Sequence, residues 1–196
     1  MKTAVGMIRL LILLLVNLLV GIQGYAQSNT WKIDAAFGGY EIDKGPKCSA
    51  GISLYDMQTW SQFSLGGGFG IDYQESFRYD KTFDNSSIYS SEILLPVFLR
   101  FQLRISDPFV IATNLGYSFN IHSKEFDVDR WHSKTKGFFI EPQFVYDVYK
   151  RITLSIGLLF QNIRYLEEGI TDNSIRYITH KETIAPSLRL HLSYSL

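Results

Sequence analysis

Apolar and polar residues alternate along much of this chain with the two-residue period of an extended strand. Residues 186–196, PSLRLHLSYSL, show it without a slip: Leu188, Leu190, Leu192, Tyr194 and Leu196 fall on one parity, Ser187, Arg189, His191, Ser193 and Ser195 on the other. Successive side chains of a strand point to opposite faces, so the segment has one apolar and one polar face. Phe63, Leu65, Phe69, Ile71 and Tyr73 alternate in the same way with Ser64, Gly66, Gly68, Gly70 and Asp72. Ile93, Leu95, Val97, Leu99, Phe101 and Leu103 face away from Glu92, Arg100, Gln102 and Arg104, and Phe109, Ile111, Leu115, Tyr117 and Phe119 oppose Asn114, Gly116, Ser118 and Asn120. Helical spacing at i, i+3 and i+4 does not compete in these stretches. The pattern predicts eight strands: Trp31 to Glu41, Gly51 to Met57, Gln62 to Gln74, Tyr89 to Arg104, Phe109 to Ile121, Gly137 to Val148, Ile152 to Ile163 and Glu182 to Leu196.

The links between them alternate in length. Thr59 to Ser61, Ile105 to Pro108 and Tyr149 to Arg151 are short, whereas Ile42 to Ala50, Glu75 to Ile88, His122 to Lys136 and Arg164 to Lys181 are long and polar. An even number of strands joined by short turns at one end and long loops at the other is the topology of an outer-membrane barrel. The expected fold is therefore all-β, an eight-stranded antiparallel up-and-down transmembrane barrel, with the last strand closing on the first. A secreted, soluble lipocalin-like ligand-binding barrel has the same connectivity with the faces exchanged, and alternation alone leaves it open. The polar parity favours the membrane form. It is rich in Gly, Ser and Asn, where a soluble exterior carries more Lys and Glu.

The N-terminal residues add a compartment. Lys2 and Arg9 precede an apolar run from Leu10 to Ile22, and Gly24-Tyr25-Ala26 supplies small residues before a cut ahead of Gln27. This reads as a signal-peptide helix over 1–26, cleaved after Ala26, leaving 27–196 as one barrel domain. The run is shorter than the ~20 residues of a spanning helix. Cys48 lies too far along to be a lipidated first residue and has no second cysteine to pair with. Nineteen basic and 19 acidic residues balance without like-charged runs, so a nucleic-acid partner is not expected. The 15% aromatic content suits strands and interfacial girdles alike.

The fourth strand, SSEILLPVFLRFQL, resembles the acid, apolar pair, Pro and aliphatic run of outer-membrane β-barrels of the Bacteroidetes group that includes PorT-like proteins. The following PFVIATNLGYSFNI, the final alternating strand and the Ala-Gln junction are similar to theirs as well. Such chains often end on Phe or Trp, whereas this one ends on Leu196. The resemblance implies an outer-membrane location, contact with outer-membrane lipid and with the barrel-assembly machinery, and no catalytic residues. It also allows a role as a component of a protein secretion system.

Nine charged or titratable residues share the polar parity: Lys32, Asp34, Asp72, Glu92, Arg100, Arg104, Glu141, Arg189 and His191. Charges in a narrow lumen lose water and need partners, so the balanced set is expected to form a salt-bridged polar network that plugs the barrel. A narrow ion pathway or a buried ligand site is the functional alternative. His122, His132 and His180 fall in the long links without metal-ligand spacing. Gly66-Gly67-Gly68 lacks the Lys-Ser/Thr and the helix of a phosphate loop, and it suits a bend or close packing inside the barrel. No G-x-S-x-G elbow is present. The expectation is a non-enzymatic barrel without cofactor or metal, whose exposed links, with Phe77, Tyr79, Phe83 and Tyr89 in one and Tyr165, Ile170, Ile175, Tyr177 and Ile178 in another, contact cell-surface or secretion-system proteins. The other account of these aromatics is that the strands run on past the membrane and pair there.

Overall fold

The computed structural model describes residues 28–42, 45–79, 87–126, 131–170 and 176–196, so the expected signal peptide lies outside the described residues. Eight antiparallel strands close into a barrel in sequence order: β1 (Ser28–Ile42), β2 (Gly45–Trp60), β3 (Phe63–Tyr79), β4 (Ser87–Ser106), β5 (Phe109–Phe126), β6 (Trp131–Tyr149), β7 (Ile152–Ile170) and β8 (Arg176–Ser195). The seam pairs β8 with β1 from Lys32 opposite Ser195 to Gly39 opposite Leu188. The Leu196 amide donates to the Trp31 carbonyl at 2.9 Å and finishes the seam. No edge strand is left at this level, so the backbone polar groups of the barrel wall pair with one another.

All eight expected strands are present, and they are longer than the alternation indicates. Most of the four long links is strand: Ile42 pairs with Gly45, Tyr79 with Ser87 and Ile170 with Arg176. His122 lies in β5 opposite Ile93 rather than in a loop. The physical reason is that hairpin register propagates upward from the barrel wall. Outside an apolar layer it needs no hydrophobic alternation to continue. The three short turns lie together at the other end, with Ser61 at positive φ in the first.

The two faces differ in kind. Phe37, Ile52, Phe69, Ile71, Leu188, Leu190 and Leu192 point outward and stay more than half exposed, as does Phe138 at 75%. The interior holds most of the buried polar side chains and also an apolar cluster of Tyr55, Met57, Phe98, Phe139 and Leu159. These large residues sit on the otherwise polar parity because glycines face them. Gly68 pairs with both Tyr55 and Phe98, and a Cβ there would overlap the Tyr55 side chain. Gly66 makes the same room beside Met57. Two glycines of the β3 triplet, Gly66 and Gly68, therefore serve packing inside the barrel, while a Cβ on Gly67 between them would have no neighbour closer than 3.7 Å.

Candidate functional site: the buried polar core of the barrel

Strand parity sends Asp34 of β1, Asp72 of β3, Arg100 of β4, Glu141 of β6 and Arg189 and His191 of β8 into the barrel, where all are buried. His191 bridges two acids: Nδ1 lies 2.8 Å from Asp34 Oδ2 and Nε2 lies 2.9 Å from Glu141 Oε1. Ionised carboxylates only accept hydrogen bonds, so this geometry fits a ring carrying a proton on each nitrogen. Gln143 Nε2 stands farther from the same ring nitrogen, at 3.3 Å. Ser193 donates to the second oxygen of Asp34 at 2.6 Å, and Asn114 Nδ2 donates to the second oxygen of Glu141 at 2.8 Å.

Arg189 makes a two-pronged bridge to Asp72, with Nη1 to Oδ2 at 3.0 Å and Nη2 to Oδ1 at 2.9 Å. Its Nε, which has no hydrogen-bond partner, lies 4.0 Å from Glu141 Oε1 and ties the two acid-base groups together. Glycine makes room here too. Gly51 is directly opposite Asp72 and Gly38 opposite Arg189; a Cβ on Gly51 would overlap the Asp72 carboxylate, and one on Gly38 would come within 2.6 Å of Arg189 Cγ. Arg100 donates to Asn114 Oδ1 at 2.9 Å and lies over the Tyr55 ring, 5.1 Å from its centroid. Tyr55 reaches Ser193 at 3.5 Å, and Ser155 of β7 reaches Gln143 at 3.4 Å. Polar contacts thus join side chains from every strand across the lumen.

The other three residues of the set stand apart. Glu92 is buried, and both its oxygens accept from the Thr135 backbone amide at 3.2 Å. This contact sits where the β5–β6 ladder, which runs from Phe109 opposite Tyr146 to Ser118 opposite Gly137, has ended, so a side chain takes up a backbone donor there. Arg104 lies at the turn end, paired with Asp107 at 2.7 Å and Asp147 at 2.8 Å, half in contact with water. Lys32 has no hydrogen bond or ion pair among the described residues; it lines a separate cavity. Alternation could not single out Asn114, Tyr55, Gln74, Ser118 and Gln161 as partners. The last three form a ladder, Gln74 Nε2 to Gln161 Oε1 and Gln161 Nε2 to Ser118, each 3.1 Å.

The cavity beside this core measures about 30 Å³ and is lined by Asp34, Asp72, Glu141, Arg189 and His191 on one side and Phe98, Phe139 and Leu159 on the other. That is room for about a water or two. Among the described residues no group of three or more His, Cys, Asp or Glu is arranged to hold a metal. Ser193 bonds to Asp34 rather than to His191, so these three groups do not form a hydroxyl with its base.

The fold is that of a closed, eight-stranded, antiparallel up-and-down barrel with a charged cluster inside. Solved outer-membrane barrels share it. A major outer membrane protein from Thermus thermophilus superimposes with a TM-score of 0.53 at 13% identity over 87% of this chain and 100% of that one. The outer membrane protein OprG from Pseudomonas aeruginosa gives 0.52 at 8% identity over 89% and 98%. The outer membrane protein AlkL, determined in DMPC bilayers, gives 0.50 at 11% identity over 87% and 92%. At these identities the likeness is one of fold. No protein-family model and no curated protein sequence matches the chain, so the resemblance to PorT-like barrels rests on the strand motifs alone.

Proposed function

We propose that this chain is an exported outer-membrane β-barrel, non-enzymatic, with a lumen plugged by its buried polar core and outer strand extensions that serve structural or surface-interaction roles. The observation that carries the reading is the polarity of the wall: apolar side chains face out from all eight strands, while Asp34, Asp72, Glu92, Arg100, Glu141, Arg189 and His191 are enclosed. A soluble lipocalin-type barrel needs the reverse, an apolar pocket and a wet exterior. Two aromatic groups bound the apolar band. Trp31, Phe63, Phe109, Tyr146, Tyr149 and Tyr194 lie towards the short turns, and Tyr73, Tyr117, Phe119 and Phe138 lie towards the other end. Along β5, Phe109 and Phe119 are ten residues apart, which at ~3.4 Å per residue and a ~40° tilt spans roughly 25 Å, the height of such a band. The short turns then face the periplasm and the long hairpins the exterior.

Plugging follows from scale. Eight strands enclose only enough space for side chains to fill, and the hydrogen-bonded cluster from Asp34 to Arg189 occupies the middle of that space. Fractionation with heat-modifiability on a gel tests the location: the folded protein should co-sediment with outer membranes and migrate faster unboiled. Recovery in soluble periplasm or medium would overturn it. Planar-bilayer recording tests the plug, and open-channel conductance comparable to that of a water-filled pore would refute a closed lumen.

A further inference from the structure

A second cavity, of about 490 Å³, opens at the short-turn end, and the polar core does not fill it. Its size falls within the ~300–1,000 Å³ of small-ligand pockets. The wall presents donors from several strands: the hydroxyls of Thr30, Thr153 and Ser195, the Thr59 and Ser64 hydroxyls, which are bonded to each other at 2.9 Å, and the Gln102 amide. Three cations line it, Lys32, Arg104 and Lys150, against two carboxylates, Asp107 and Asp147. Both carboxylates are taken by Arg104, at 2.7 and 2.8 Å. Among the described residues Lys32 is left with no ion pair and no hydrogen bond, although it lies deep enough to be mostly shielded from water. The next cation inward, Arg100, is also without a carboxylate: its partners are Asn114, the Tyr55 ring and the Gln102 amide oxygen, which accepts from its Nε at 2.7 Å and leaves the Gln102 NH2 as a donor. Elsewhere the interior cations, Arg189 and His191, have their acids in contact.

A partly enclosed ammonium that faces hydroxyl and amide donors, in a cavity with one net positive charge, matches an anion of one negative charge with two acceptor oxygens. We infer that this vestibule is a binding site for a small carboxylate, with Lys32 as its cation, Ser195, Thr153 and Gln102 as supporting donors, and Arg104 held at the rim by Asp107 and Asp147. Under the proposed topology the ligand comes from the periplasmic side, and the plug above makes the vestibule a blind pocket rather than a passage. The site itself depends only on the fold.

The test uses the full barrel refolded in detergent micelles, with side-chain nitrogen NMR of Lys32 and amide shifts of Thr153 and Ser195 followed during titration with sodium acetate, at ionic strength held constant by chloride. Saturable shifts confined to the vestibule are expected. Lys32→Met should weaken binding by about tenfold or more, and Lys32→Arg should retain it. Both variants must show wild-type heat-modifiability, which establishes that the barrel is formed. Non-saturating shifts, equal saturation in K32M, or shifts reproduced by exchanging one chloride concentration for another would overturn the site. A parallel titration with inorganic phosphate tests ligand class, and saturation by phosphate without saturation by acetate would overturn the carboxylate assignment. Because the readout is in micelles, failure here leaves the outer-membrane location to fractionation, and failure of the location leaves the binding result standing.

Discussion

Replacing Arg189 by Met keeps the unbranched stem of the side chain and removes the charged guanidinium from the centre of the barrel. The wild-type pair is nearly dry, with side-chain exposures of 6% for Arg189 and 10% for Asp72, and its two hydrogen bonds are 2.9 and 3.0 Å. At ~4 Å between charge centres and an effective dielectric near 20, the attraction is about 4 kcal/mol before desolvation is counted. Removing the cation leaves Asp72 buried and uncompensated, and it also removes the cation 4.0 Å from Glu141. The expected cost is therefore ~3–5 kcal/mol. Asp72→Asn is milder, ~1–3 kcal/mol, because the amide oxygen still accepts one hydrogen bond and Glu141 remains beside the guanidinium. The double variant leaves no orphaned charge on Asp72, so its cost should fall short of the sum by more than ~1 kcal/mol. Reversible urea unfolding in lipid vesicles, followed by tryptophan fluorescence, measures all four corners of the cycle. Additivity within ~0.5 kcal/mol would refute the reasoning, because it would mean the two side chains do not depend on each other.

Gly51→Val should destabilise by ~1–3 kcal/mol in the same assay, because its Cβ overlaps the Asp72 carboxylate, while Gly67→Val, whose Cβ has no neighbour closer than 3.7 Å, should cost less. Leu190→Arg places a charge on the outward face and should lose ~2–4 kcal/mol in vesicles, whereas Ser64→Arg, which enters the turn-end vestibule, should lose under ~1 kcal/mol; equal losses would contradict the wall polarity. Glu92→Gln weakens the acceptor that holds the Thr135 amide and should speed hydrogen exchange there without changing exchange at Val145, which a quench-flow or NMR exchange series resolves.

Strand number, order and facing are legible in the sequence because most wall residues follow one rule, apolar outward and small or polar inward. Ile93 to Leu103 and Leu188 to Leu196 obey it without exception on the outer parity. Strand ends were not legible. In β2 the wall segment around Ile52 was visible, but Gly45 to Ala50 and Gln58 to Trp60 carry no alternation; they are strand because β1 and β3 on either side pair with them. The inner parity is also less polar than the alternation indicates. Phe98, Phe139 and Leu159 stand inside among the polar groups, and only the position of glycines across the ladder, Gly68 beside Phe98 and Gly116 near both Phe98 and Phe139, explains how they fit.

The polar core shows why parity and partnership are separate kinds of information. Parity assigns a side chain to the lumen from its own strand alone, so Asp34 and His191 could be placed inside without knowing what they touch. Partnership depends on barrel stagger, which brings Glu141 of β6 within 2.9 Å of His191 on β8 although β7 lies between them in the wall. That crossing is available only because β7 presents Gly157 at the level between Gln143 and Arg189, where a larger side chain would meet Gln143 and Glu141. A glycine on the intervening strand is therefore the sequence signal for a cross-lumen contact, and it is readable only after the register is known. The same logic separates Lys32 from the core. It shares the inward parity of Asp34 two residues away, yet stagger sets it in the open vestibule among hydroxyls, so a residue indistinguishable from its neighbours by pattern has no ion pair among the described residues.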